Sequence, residues 1–472
     1  MRRTYPMLAL ALAAGLAAPQ LIAKPAKLKS HPAAEAQTLD LAKQLIALRS
    51  VQGPDNKTPQ ALGVIKGALL TAGWQSSDVE VIPFKDTAYM IATWPGSDPS
   101  LKPLVISGHM DVVEAKPEDW LRDPFTPVVE NGYLFGRGAS DMKFDAALAT
   151  ASLIEMRKAG YKPRRTIILQ FSGDEETTMA TSRVIAERLR HAELVINIDG
   201  GGGTLDETSG KPLYWTWQGA EKTYDDYQLE VTNPGGHSSA PRPVNAIVQL
   251  AQAVEKVGAY HFQPELSPLT KAYFEKAAAF EKDPALAAAM RAFAANPGDA
   301  EAAATLRASP AYVGKIGTTC VPTMITGGHA QNALPQRATA NVNCRVFPGH
   351  SREEIRQQLV GIIDMPMITV TATSGEDSIS APASPMRPDF IAAAEKAMRR
   401  INPGIAIFPS QTSGATDSMW YRALGVASYG ASPTFSKDSE DFAHGLNERV
   451  PLSNIAPGIN YYISLFTDLS AR

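Results

Sequence analysis

Short apolar runs alternate with stretches of helical period through the first half of the chain. Residues 35–48 (EAQTLDLAKQLIAL) and 62–72 repeat apolar positions every three or four residues and predict amphipathic helices, the second ended by Gly73. Residues 103–107 (PLVIS), 165–172 and 194–198 are short apolar runs that predict strands covered on both faces. Residues 144–158, stopped by Gly160, and 181–190 predict helices between them. Buried strands separated by helices predict an α/β sheet, in which functional groups gather where strands end.

The pattern changes after Gly219. Residues 226–231 alternate like a half-exposed strand, and 244–257 read as a helix. Strands at 321–326 and 338–346, a helix at 351–363 and a strand at 367–373 follow. Strand–helix–strand–strand–helix–strand is a small α+β unit with helices on one face. An alanine-rich, proline-punctuated stretch over 263–312 adds two or three helices to it. A helix over 386–402 returns the chain to the α/β pattern. The expected parts are 33–218 and 379–472 for an interrupted α/β domain and 219–378 for the insert.

Composition narrows the class. The chain has 472 residues, 44% hydrophobic and 20% charged, with a net charge of −3, which fits a soluble enzyme and excludes a basic nucleic-acid surface. Arg2 and Arg3 precede an apolar run over 7–18, too short to span a bilayer, so 1–23 reads as a cleaved signal peptide and 24–32 as a leader. That predicts a periplasmic or secreted protein with no stable membrane insertion after cleavage. Two cysteines, Cys320 and Cys344, are too few for a four-thiolate metal site. After export they could pair, and two buried thiols fit the sequence equally well.

The candidate chemistry lies at strand ends. Glu175 and Glu176 close the run TIILQFSGDEE. Alone, such a pair is an ordinary acidic loop; beside a cation, one carboxylate holds the metal and its neighbour serves as a base. Other strand ends carry His109 and Asp111 in GHMDVV, Asp141 in GRGASDMK, Asp199 in LVINIDG and His444 in HGLNER. Imidazole and carboxylate are zinc ligands. Two adjacent divalent ions need a shared anion, for which Asp141 is the choice. His109 with Asp199 completes one ion, and Glu176 with His444 the other. Asp111 is placed to accept the second ring N–H of His109, and Glu175 is left free as base.

These stretches, with Trp120 and DPF (123–125), GGHSS (235–239), NALP (332–335), CR (344–345), SGATDS (413–418) and HGLNERV (444–450), occur in order along most of the chain. So arranged, the chain resembles the co-catalytic zinc peptidases and amidohydrolases that include glutamate carboxypeptidase, aminoacylase, carnosinase and succinyl-diaminopimelate desuccinylase. The resemblance implies a catalytic α/β domain with a mainly parallel, helix-flanked sheet, interrupted by a ferredoxin-like lid and dimerisation domain. It implies two Zn2+, or Co2+ or Mn2+, on His109, Asp141, Glu176, Asp199 and His444, with Glu175 as general base and Asp111 behind His109. It gives His237 an oxyanion role in the partner subunit of a homodimer. Arg345, Gly414, Ala415 and Thr416 are implied to hold a substrate carboxylate, with Asn332 close by. Phe144 departs from the family, where a glycine is common, and the 263–312 stretch exceeds that of compact members. The expected reaction is hydrolysis of an amide bond in a small peptide or N-acyl amino acid with a free carboxylate. The competing expectations are a two-metal phosphoesterase, disfavoured by the lack of a Lys/Arg cluster near the ligand loops, and an exported metal-dependent binding protein without turnover.

Overall fold

The computed structural model describes residues 28–375, 378–440 and 442–471. The signal-peptide segment 1–23 lies outside them. Of the leader, 28–32 is described, and it is seated: Asn460 Nδ2 donates to Lys29 O at 2.9 Å, and buried His31 places Nδ1 2.8 Å from Glu155 Oε1.

The apolar runs form the centre of a ten-stranded sheet. Leu104–His109, buried at every position, pairs in parallel with Ile167–Ser172 on one side and Leu194–Asn197 on the other. Ser428–Gly430 adds in parallel to Leu194–Asn197. Antiparallel pairings flank this parallel centre: Val79–Phe84 with Thr87–Trp94 at one margin, and Pro212–Glu221 beyond Ser428–Gly430 at the other. Ala406–Thr412, from the far end of the chain, pairs in parallel with Pro212–Glu221.

Successive strand residues face opposite sides, so one run feeds two cores. Leu104 and Ile106 pack with Ile167, Leu169 and helices Pro32–Ile46, Lys143–Lys158 and Ile455–Ser470. Val105, Ile168 and Val195 pack on the other face with Ala180–Arg188 and Ser418–Ala423. Because the central strands are parallel, their C-terminal ends reach one edge together. His109 ends one strand, Ser172 leads to Glu175 and Glu176, and Asn197 leads to Asp199.

The insert is a second, antiparallel sheet in the order Thr319–Gly327, Arg337–Val346, Thr223–Thr232, Thr369–Ala372. Helices Ala246–Ala259 and Arg352–Ile363 share its buried core, which gives the ferredoxin-like order of elements. Cys320 and Cys344 are register partners on adjacent strands and form a disulfide, so the tertiary pairing selects between the two readings of the sequence. The alanine-rich stretch folds as Pro268–Ala277, Pro284–Ala295, Ala300–Arg307 and the single turn Pro310–Val313. Its apolar face, with Phe274 and Phe293, packs on Phe408 of the large sheet rather than on the small one.

Candidate active site

Seven of the predicted residues converge at the strand-end edge. His109 Nε2 lies 3.0 Å from Asp141 Oδ1 and 3.7 Å from Asp199 Oδ2. His444 Nε2 lies 3.2 Å from Asp141 Oδ2 and 3.0 Å from Glu176 Oε1. These contacts run in the order Asp199, His109, Asp141, His444, Glu176, with Asp141 in the middle. Ligand atoms of His109, Asp141 and Glu176 all lie within 4.8 Å of one another. Close approach is built into the backbone: a Cβ on Gly108 would sit 2.7 Å from the side chain of Met142, the residue after Asp141.

The electrostatics fit a cation pair. His444 is pushed up to about 10 by its hydrogen bonds to Asp141 and Glu176. Burial works against a charge on His109, yet Asp199 and the bonds to Asp111 and Asp141 hold it well above the usual imidazole range. Burial raises Asp199 to about 6 and also lifts Glu175 and Glu176. Asp141 is held low: burial opposes its charge, but both histidines hydrogen-bond it. Buried carboxylates that must borrow protons to coexist form a donor set suited to divalent ions. His109, Asp141 and Glu176 are placed so that they could hold a metal ion, with Asp199 and His444 beside them.

Asp111 has a wider role than the sequence suggested. Its Oδ1 is 3.6 Å from His109 Nδ1, which lies nearer, at 3.1 Å, to the Asp111 backbone carbonyl. The Asp111 carboxylate accepts the backbone N–H of Glu175 at 3.1 Å and of Glu176 at 3.0 Å. It thus pins the glutamate turn to the His109 strand. The Glu175 side chain is buried and makes no hydrogen bond or ion pair among the described residues.

A cavity of about 490 Å³ opens from the cluster, lined by Glu175, Glu176, Tyr224, Arg345 and Ala415. Arg345 stacks over Tyr224 at 4.7 Å and donates to Ser413 O at 3.5 Å. It has no carboxylate ion pair among the described residues. Gly414 is exposed at the tip of the SGATDS loop. Thr416 is buried instead: its hydroxyl donates to Glu221 at 2.9 Å and accepts from Asn197 at 3.0 Å, and Glu221 pairs with buried Arg422 at 2.8 Å. That hydroxyl is occupied within the fold. A second cavity of about 500 Å³ meets the cluster at Asp141 and Asp199 and is walled by 200–203.

His237 and Asn332 are not brought to this cluster. The two-residue strand Gly236–His237 pairs with Ala333–Leu334, and Ser238 N donates to Asn332 O at 3.0 Å. His237 is exposed, and neither residue lines either cavity.

The profile of "Peptidase family M20/M25/M40" matches residues 105–468. The chain belongs to this peptidase family. It is 28% identical over 385 residues to the N-fatty-acyl-amino acid synthase/hydrolase PM20D1 of Xenopus tropicalis, covering 78% of this chain and 73% of that one. It is 24% identical over 453 residues to mouse (Mus musculus) aminoacylase-1, covering 93% and 97%. Its fold matches an M20 family metallo-carboxypeptidase of Sulfolobus solfataricus with a TM-score of 0.68 at 16% identity, over 91% of this chain and 98% of that one. As an M20-family member the protein is a hydrolase of C–N amide bonds.

Within this M20-family site, the sequence reading missed Glu448. The residue is fully buried and faces the loop that carries Asp141. HGLNERV contains it, but an acid bracketed by Asn447 and Arg449 reads as surface.

Proposed function

We propose that the protein hydrolyses the amide bond of a small peptide or N-acyl amino acid bearing a free carboxylate, with two zinc ions as resident metals. One observation carries this reading: Glu175 and Arg345, each without an ion pair among the described residues, line one cavity together with Glu176 of the ligand cluster. Bound zinc would polarise the scissile carbonyl and acidify water; cobalt or manganese suits the same donors.

The remaining steps belong to side chains. Glu175 takes the proton of the attacking water on its carboxylate and passes it to the leaving nitrogen. Its burial, which raises it, favours holding that proton between the two transfers. Arg345 receives the substrate carboxylate, held in place by Tyr224 and the Ser413 carbonyl. His237 stabilises the developing oxyanion in the partner subunit. Its exposed position, outside the lining of both cavities of its own chain, supports action in trans. Thr319–Gly327 is a sheet edge with Val321, Met324 and Ile325 exposed, which supports a homodimer formed through the smaller domain. Export to the periplasm or medium is supported by the N-terminal signal pattern and by the Cys320–Cys344 disulfide.

The test is a hydrolysis screen of dipeptides and N-acyl amino acids, with and without chelator, with phosphate esters alongside. Chelator-sensitive cleavage of carboxylate-bearing amides is expected. Cleavage of phosphate esters alone, or binding of peptides without turnover, would sink the reading.

A further inference from the structure

The ligand cluster draws its residues from two sets of elements, which meet where His109 N donates to Met142 Sδ at 3.1 Å. His109, Glu176 and Asp199 come from the ends of central strands, and Asp111 ties the Glu175–Glu176 turn to His109. Asp141 and His444 lie on loops outside those strands. His444 adopts a left-handed backbone at φ 61°, and its side chain is 53% exposed, so its own surroundings restrain it little.

One buried carboxylate joins these two loops. Glu448 Oε1 accepts Ser140 N at 2.7 Å, Ser140 Oγ at 3.0 Å and Asp141 N at 3.0 Å. Glu448 Oε2 accepts Gly138 N at 2.9 Å and Arg137 Nη1 at 2.7 Å. Arg137 Nη2 in turn donates to His444 O at 3.4 Å. Glu448 also lies four residues after His444, and its backbone carbonyl accepts Gly136 N at 3.0 Å. Five donors on one carboxylate consume its acceptor capacity, and all five come from the Asp141 loop. Breaking such a pair leaves an uncompensated buried charge or unpaired backbone N–H groups.

We propose that Glu448, with Arg137, is the positioning residue that assembles the Asp141–His444 half of the metal centre. This rests on the dinuclear reading above. The ion on Glu176 and His444 would depend on this half for two of its three ligands. The ion on His109 and Asp199 would depend on it only for the shared Asp141. Loss of Glu448 therefore weakens the two ions unequally, whereas a merely structural role weakens both alike.

The experiment is Zn2+ titration calorimetry of the metal-free full chain, with the melting temperature of the metal-free protein recorded alongside. Wild type is expected to take two ions. In Glu448→Gln, the second ion should weaken by about tenfold to a hundredfold, while the first stays within about threefold. Equal weakening of both ions, or two ions at wild-type affinity, overturns the proposal. Should Glu448→Gln fail to fold, Arg137→Lys keeps the buried charge paired while removing the fork to His444, and the same inequality is required of it. A wild type that takes fewer than two ions overturns the dinuclear reading and this inference with it.

Discussion

Asp141 gives one carboxylate oxygen to each of two histidines: Oδ1 is 3.0 Å from His109 Nε2, and Oδ2 is 3.2 Å from His444 Nε2. A carboxylate so placed lies between two pairs of side chains, Asp199 with His109 and Glu176 with His444. The neighbouring Glu175 side chain makes no hydrogen bond or ion pair among the described residues. The proposed division of labour between the adjacent glutamates rests on this relationship.

Glu175→Gln keeps the size of the side chain and removes its basicity. The expected outcome is a fall in kcat of about a hundredfold to ten-thousandfold with metal content unchanged. Metal analysis paired with steady-state kinetics checks it. A variant that keeps both its ions and near wild-type turnover would exclude Glu175 as the base.

Arg345→Ala should discriminate between substrates. A charge-assisted hydrogen bond contributes about 1.5–3 kcal/mol, so kcat/KM for a free-acid substrate should drop by roughly tenfold to a hundredfold. The matching C-terminal amide, already a poor substrate, should be little affected. An equal loss for acid and amide would remove Arg345 from carboxylate recognition.

Metal uptake should release protons. In the metal-free site His444 is held at about 10, so it carries a proton at pH 7 that metal binding must displace. Apparent affinity for Zn2+ therefore rises with pH through the neutral range. Calorimetry in buffers of different ionisation enthalpy should show net proton release at pH 7, and its absence would contradict the hydrogen-bonded cluster.

Two inactive variants should complement one another if His237 acts across the dimer. Mixed Glu175→Gln and His237→Ala chains form heterodimers in which one site has both residues intact. Random exchange of subunits should restore about a quarter of wild-type activity. No recovery under conditions where exchange is verified by mass would place His237 outside the partner's site.

Much of this molecule is legible in the sequence alone. The buried strands 103–107, 165–172 and 194–198 announced themselves as apolar runs, because a strand covered on both faces has no polar side to display. His109, Glu175, Glu176 and Asp199 stood out as polar groups following such runs. Asp141 and His444 follow no such run and are marked in the sequence only by their motifs, GRGASDMK and HGLNER.

Tertiary structure decided what depends on partners far along the chain. Glu448 meets Gly138, Ser140 and Asp141 across more than 300 residues of sequence, mostly through backbone N–H groups that every residue but proline possesses. Nothing in the identity of those residues marks the contact. Thr416 reads as available to a ligand in the sequence, whereas in the fold Glu221 and Asn197 occupy its hydroxyl. Cys320 and Cys344 pair because strand register sets them opposite one another. The helical stretch interrupts the small domain in sequence but packs on Phe408, since an apolar face is buried against whichever surface topology brings near. Side-chain type and periodicity are local properties and can be read along a chain. Register, backbone acceptance and packing partner are relations between distant segments, and only folding creates them.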